Sequence, residues 1–369
     1  MKKNKKPLIQ TNEISKSTGK NMKVRIFSGL VLVLICLPIA LVGSWPFFAL
    51  IGVLAGFSIY EVIRVPRREK MPKLLAAALF IFGFILLYWP FTKNIISDMV
   101  FNEPSSIIGA FSNNNIDKIF EVGFVGSDYG SSSILISTPI IAVGFIFMFL
   151  TTISDEKFTI KDVFYYFGMA IILSLGFQGF YYLRYLPFAY SEKVLGNGVV
   201  APNYYDNGFN EFFGSAALFM YVVVGTMITD IGAYFFGVLF GKHKMNPRVS
   251  PKKTWEGFAG GIVVSIVVSV SYVFIIDACG GFVLPGVLDI EHWYWVLLLS
   301  IAMPLIGNLG DLAFSAIKRD YEIKDYGNVI PGHGGVLDRL DSLIFSMATV
   351  AILLMFICNG WEVFHVALK

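Results

Sequence analysis

Residues 293–313 read WYWVLLLSIAMPLIGNLGDLA, an apolar run in which Asp311 is the only charge. A helix that crosses the hydrocarbon of a bilayer needs about 20 such residues. This stretch therefore predicts a transmembrane helix with one carboxylate near its end. Runs of the same character recur near 27–43, 47–63, 74–91, 134–152, 163–183, 213–240, 258–276 and 342–358. The chain reads as all-α, a polytopic transmembrane helical bundle of about nine spans.

Composition agrees. Hydrophobic residues make up 56% of the 369 and charged residues 15%, with a mean hydropathy of +0.67. Soluble chains carry about 25% charged residues, so a disordered chain, a nucleic-acid binder and an ordinary soluble enzyme are excluded. Cys36, Cys279 and Cys358 are scattered in or beside apolar runs. They form neither a disulfide framework nor a metal-ligand spacing.

Basic residues orient the bundle. With the N-terminus in the cytoplasm, the inward segments 1–26, 64–73, 153–162, 241–257 and 314–341 carry 24 of the 29 Lys and Arg residues, and the outward segments carry 5. That bias is what the positive-inside rule requires. Three regions follow. Residues 1–26 form a basic cytoplasmic tail, expected to be disordered. Residues 27–212 form N-terminal transmembrane helices with outer loops at 92–133 and 184–212. Residues 213–369 carry the densest chemistry. The first span has no small-residue cleavage site and reads as an anchor.

Charge inside hydrocarbon costs roughly 2.5–3.5 kcal/mol even on insertion scales, so each intramembrane acid needs a reason. Glu61 stands at helical spacing from Arg64 and Arg68, which suggests a structural ion pair. Asp230, in Thr229-Asp230-Ile231-Gly232, and Asp311, in Gly307-Asn308-Leu309-Gly310-Asp311, have small neighbours that permit close helix or ligand approach. Both read as functional.

Two inward segments concentrate polar chemistry. Gly241-Lys242-His243-Lys244 leads to Ser250-Pro251-Lys252-Lys253-Thr254-Trp255-Glu256-Gly257. Lysines, hydroxyls and a glycine at a helix start suit a polyphosphate, because ammonium groups and free N–H donors both favour phosphate oxygens. The second segment runs from Ser315 through Lys318-Arg319 and Lys324-Asp325 to Pro331-Gly332-His333-Gly334-Gly335 and Asp338-Arg339-Leu340-Asp341. A helix over 307–320 puts Asp311, Ser315 and Lys318 on one face. Asp338 and Asp341, three apart, share another. The three carboxylates Asp311, Asp338 and Asp341 suit a hard divalent cation such as Mg2+, with room for a second cation. The glycines around His333 predict a tight bend beside a ligand.

At these residues the sequence resembles the phosphatidate cytidylyltransferase (CDP-diacylglycerol synthase) family. Ser315, Lys318-Arg319, Lys324-Asp325, Gly327, Ile330-Pro331, His333-Gly334-Gly335 and Asp338-Arg339-x-Asp341 stand at that family's signature spacing, and 250–257 is similar to its second motif. The resemblance implies Mg2+-dependent transfer of the cytidylyl group of CTP to phosphatidate, giving CDP-diacylglycerol and pyrophosphate for phospholipid biosynthesis. It also implies roles. Lys318, Arg319, Asp338 and Asp341 become the catalytic candidates, with Lys318, Arg319 and Ser315 on phosphate. Ser250, Lys252, Lys253 and Thr254 shape the CTP site, and Asp311, Asp338 and Asp341 hold metal. Asp230 is an accessory carboxylate. His333 binds phosphate or shapes the loop, since a phosphate monoester needs no strong base to act as a nucleophile. Lys324, Asp325 and Arg339 serve the loop.

The expected partners are CTP, phosphatidate and membrane lipid, with a homodimer allowed and no nucleic acid. The expected location is a bacterial inner membrane with the site facing the cytoplasm. Two rivals are a CTP-dependent polyprenol or dolichol kinase, which would transfer the γ-phosphoryl group, and a transporter, which would spread its acids along a two-sided pathway.

Overall fold

The computed structural model describes residues 16–66, 73–101, 119, 134–154, 158–195, 208–332 and 334–359. Among the described residues, nine long helices lie at the nine expected positions: α1 Lys16–Val42, α2 Ser44–Arg64, α3 Lys73–Phe101, α4 Ile134–Ser154, α5 Ile160–Leu195, α6 Gly208–Phe240, α7 Trp255–Ala278, α8 Trp293–Asp320 and α9 Leu337–Asn359. Seven are long and apolar enough to cross a membrane, and α1 and α4 contribute shorter apolar segments. Large apolar side chains such as Val33, Val143, Val238 and Val267 face outward, as a lipid-facing surface demands. The protein is a multi-pass integral membrane protein.

Between α6 and α7 the chain forms an antiparallel hairpin, β1 Lys244–Asn246 with β2 Ser250–Thr254. Hydropathy gives no warning of it, because both strands are polar and short. Two other expectations change. Residues 16–26, placed in a disordered tail, continue α1: hydropathy falls where the charges begin, but helical hydrogen bonding runs on. Residues 184–195, placed in an outer loop, belong to α5. Arg184 stays helical and buried because its guanidinium donates to the Ala40 and Leu41 carbonyls, each at 3.0 Å. These are orphan acceptors at the end of α1. Asn113–Asn115 and Ser131–Ser133 lie outside the described residues.

Helix α9 sits centrally, packing on α5, α6 and α8, while α6 packs along α7. The α6–α7 seam is close because a Cβ at Gly261 would stand 2.7 Å from the Thr229 carbonyl. Small residues let helix backbones approach where lipid supplies no hydrophobic drive for association. On the other side, Phe47, Tyr181, Tyr185 and Phe219 form an edge-to-face cluster with Phe47 at its centre. Such pairs contribute about 0.5–1.5 kcal/mol each beyond area burial. This framework brings the end of α2, the start of α5, the hairpin, the end of α8 and the start of α9 to one end of the bundle, joined by the contacts described next.

Candidate functional site

The hairpin is built to present lysines. Thr254 ends β2 and caps α7, its hydroxyl accepting from Gly257 N at 3.1 Å. Glu256, in the first turn of α7, turns back to accept from the Lys242 and His243 backbone N–H groups and sits 2.6 Å from His243 Nδ1. The motif therefore braces its own strand-to-helix corner. Lys252 and Lys253 then line a cavity of about 450 Å³ together with Asp230, Lys244, Thr254 and Asn308. That volume lies within the range of small-molecule sites. Ser250 opens β2 opposite Asn246 and lies outside the cavity lining.

Helix α8 forms as its motif predicted, and the expected face exists. Ser315 Oγ donates to Asp311 Oδ1 at 3.2 Å across one helical turn. Asp311 Oδ2 lies 2.7 Å from Lys253 Nζ, which also donates to Asn308 Oδ1 at 3.3 Å. One turn beyond Ser315, Lys318 reaches α9, with Nζ 2.9 Å from Asp338 Oδ1 and 4.0 Å from Asp341 Oδ2. Asp341 and Lys318 are only 9% and 8% exposed. A buried ion pair of this kind is weak evidence for stability, since desolvation offsets much of the attraction. It does fix the ammonium between two carboxylates.

Asp338, expected to hold metal, is met by three donors of the chain itself. Besides Lys318, it accepts from Tyr326 N at 2.8 Å and Gly335 N at 3.0 Å. It fastens the loop to the helix start and aims Lys318. Burial pushes the Tyr326 phenol well above its ordinary range, so it stays neutral and donates to the Phe314 carbonyl. Asp341 keeps one oxygen on Ser342 N. Asp230 accepts from Ser342 Oγ at 3.4 Å. Among the described residues, no three of His, Cys, Asp and Glu come close enough to form a ready-made metal-ligand group.

Arg319 leaves this face. It donates to the Val249 carbonyl at 3.4 Å and the Ile323 carbonyl at 3.1 Å, tying the hairpin to the end of α8. It borders a second cavity of about 1010 Å³, shared with Lys161, Arg248, Tyr165 and Tyr321. Lys318 stays out of that lining, its ammonium turned to Asp338. His333 lies outside the described residues; its neighbours Gly332 and Gly334 have φ of 76° and 92°, the tight bend that the glycines predicted. Lys324 and Asp325 are exposed on that loop.

Glu61 corrects the reading of the N-terminal half. Its carboxylate accepts from Val336 N and Leu337 N, each at 2.9 Å. Arg64 instead donates to Tyr60, and Arg68 lies outside the described residues. Asn308, Ser342 and Tyr326 also joined the site without being singled out. Only Asn308 left a signal, as the polar residue among the small neighbours of Asp311.

Residues 23–357 match the Cytidylyltransferase family. The chain is 29% identical over 334 residues to the phosphatidate cytidylyltransferase of Staphylococcus haemolyticus (strain JCSC1435), covering 90% of this chain and 99% of that protein. It is 31% identical over 336 residues to the phosphatidate cytidylyltransferase of Bacillus subtilis (strain 168), covering 90% and 98%. The enzyme of that name from Staphylococcus epidermidis (strain ATCC 12228 / FDA PCI 1200) is 35% identical over 217 residues, 58% of this chain and 68% of the relative. The match runs through the N-terminal helices as well as the hairpin, α8 and α9, and on that extent the chain belongs to the cytidylyltransferase family.

Proposed function

We infer that this membrane enzyme transfers the cytidylyl group of CTP to phosphatidate. A phosphate oxygen of phosphatidate bonds to the α-phosphorus of CTP, the bond from that phosphorus to the bridging oxygen breaks, and pyrophosphate leaves with the electron pair. CDP-diacylglycerol is the other product. The observation that carries this reading is the lysine–carboxylate network beneath a cavity of about 450 Å³, inside a membrane-spanning bundle. The kinship to phosphatidate cytidylyltransferases over 90% of the chain supports it.

Both substrates are anions, so the site must offset their repulsion and hold them in line. Lys252 and Lys253 are placed to bind the triphosphate. Lys253 would exchange Asp311 for phosphate. Lys318, fixed by Asp338, faces the charge that develops on the leaving pyrophosphate. Arg319 acts at one remove, by holding the hairpin. Asp311 and Asp230 lie about nine and ten residues inside their helix ends, roughly 13–15 Å along the axis.

The donors present fit Mg2+. Asp230, Asp311, Asp338 and Asp341 outnumber their paired lysines, Lys253 and Lys318, and all are hard oxygen ligands. Mg2+ is commonly held by one or two carboxylates with substrate phosphates completing the shell, so a ready-made trio is not required. Asp311 and Asp341 would hold it, with Asp230 nearby and Asp338 kept for Lys318. When bound, the ion would neutralise phosphate charge and orient the oxygens. The site faces the cytoplasm of a bacterial inner membrane in this reading, supported by the basic bias of the loops at its end of the bundle.

Purified full-length protein in phospholipid nanodiscs, given phosphatidate, Mg2+ and CTP labelled at either the α or the γ phosphate, tests the reaction. The α label should enter lipid and the γ label should leave as pyrophosphate. The γ label in lipid would make the protein a kinase.

A further inference from the structure

Helix α9 starts without a local cap. Val336, the residue before it, has no side-chain acceptor, and the first N–H groups of any helix lack intrahelical partners. Buried and unpaired, each would cost about 1–3 kcal/mol. The acceptor comes instead from 275 positions away. Glu61, in the last turn of α2 and only 2% exposed, gives one oxygen to Val336 N and the other to Leu337 N. A carboxylate there also meets the positive end of the helix dipole. Among the described residues no cation pairs with it. The site is shaped for this contact: a Cβ on Gly327 or Gly335 would collide with the Glu61 carboxylate. Helix α1 holds the same loop further along, where Ser28 Oγ donates to the Pro331 carbonyl at 3.0 Å.

The turn that Glu61 caps carries Asp338 and, one turn on, Asp341. We propose that Glu61 is a positioning residue of the transfer site: by capping α9 from α2, it holds Asp338 and Asp341 in register with Lys318. This rests on the reaction proposed above. The N-terminal helices then do more than anchor the protein, because one of them sets the geometry of a carboxylate pair on the last helix.

Glu61→Gln is the decisive variant. It keeps the volume but replaces one acceptor with an amide donor facing a backbone N–H. Full-length protein in nanodiscs is compared with wild type by amide hydrogen exchange, thermal stability, and kcat and KM for CTP per folded molecule. Exchange should accelerate about tenfold over 334–341 while α6 and α7 hold their protection. The kcat should fall by at least about tenfold with KM for CTP within about twofold, the size seen when groups that orient functional side chains are lost. Glu61→Ala should do the same more severely; if it does not accumulate, the glutamine variant decides alone. Unchanged exchange over 334–341, or faster exchange with unchanged kcat, overturns the proposal. So does a uniform loss of protection in all helices with normal kcat per folded molecule. An inactive wild type sinks the reaction and this proposal together, whereas an active wild type with unaltered Glu61→Gln kinetics sinks this proposal alone.

Discussion

Lys253 and Asp311 meet at 2.7 Å, joining the hairpin to the middle of α8 across a cavity wall. Both side chains are about a quarter exposed, so the pair is neither a screened surface contact nor a sealed core pair. Its lysine can turn to an incoming triphosphate.

Lys253→Met should therefore act mainly on CTP. Loss of a contact made equally in the ground and transition states raises KM and leaves kcat little changed. A charge-assisted hydrogen bond contributes about 1.5–3 kcal/mol, so a rise in KM of about tenfold or more is expected. Initial-rate kinetics with CTP varied at saturating phosphatidate measure it. Unchanged CTP dependence in Lys252→Met, Lys253→Met and the double variant would remove the hairpin from the substrate site.

Lys318→Met should be the more damaging change. It leaves Asp341 and Asp338 buried without their ammonium, and breaking a buried pair costs about 3–5 kcal/mol. Both the folded fraction in thermal unfolding and kcat should fall. Adding Asp338→Asn to it should recover part of the stability but not turnover, because the double variant removes one of the two uncompensated charges without restoring the cation.

Asp311→Asn and Asp341→Asn should each raise the Mg2+ concentration needed for half-maximal rate, and chelation should abolish transfer by the wild type. The shape of the side chain is kept while one negative charge is lost, so binding should suffer more than folding. Mg2+ titration of initial rates, alongside thermal unfolding of each variant, separates the two. Near-normal Mg2+ dependence in both variants would remove these carboxylates from the metal site.

Thr254→Ala should cost about 1 kcal/mol of stability by removing the cap of α7, visible as a lower midpoint in thermal unfolding. Thr254→Ser should recover it, because its hydroxyl can still accept from Gly257 N. A loss of CTP binding that serine does not recover would give Thr254 a direct role with substrate.

Native Cys279 is exposed at the end of α7, opposite the hairpin. In intact cells a membrane-impermeant thiol reagent should label it. In a chain stripped of native cysteines, Lys252→Cys should label only after permeabilisation. The reverse pattern would invert the bundle.

The nine helices were legible because the bilayer imposes a length and a composition that few other constraints can mask. The face of Asp311, Ser315 and Lys318 was legible because i, i+3 and i+4 positions meet on any helix, and the loop bend at Gly332 and Gly334 because only glycine takes that backbone freely. The hairpin was hidden, since short polar strands carry no hydrophobic period. Arg184 was misplaced in a loop for a related reason: hydropathy registers its charge but not the two carbonyls that satisfy it.

The sequence by itself determined the membrane-spanning class, the helix positions and the polar motifs, all of which depend on residues close together in the chain. Tertiary structure alone decided how those motifs are used. It gave Asp338 to Lys318 and two loop N–H groups, turned Arg319 away from Lys318, and matched Glu61 to a helix start far along the chain. Hydrogen bonds of that kind depend on which helix ends the fold brings together, and no local pattern of residues encodes a partner 275 positions away.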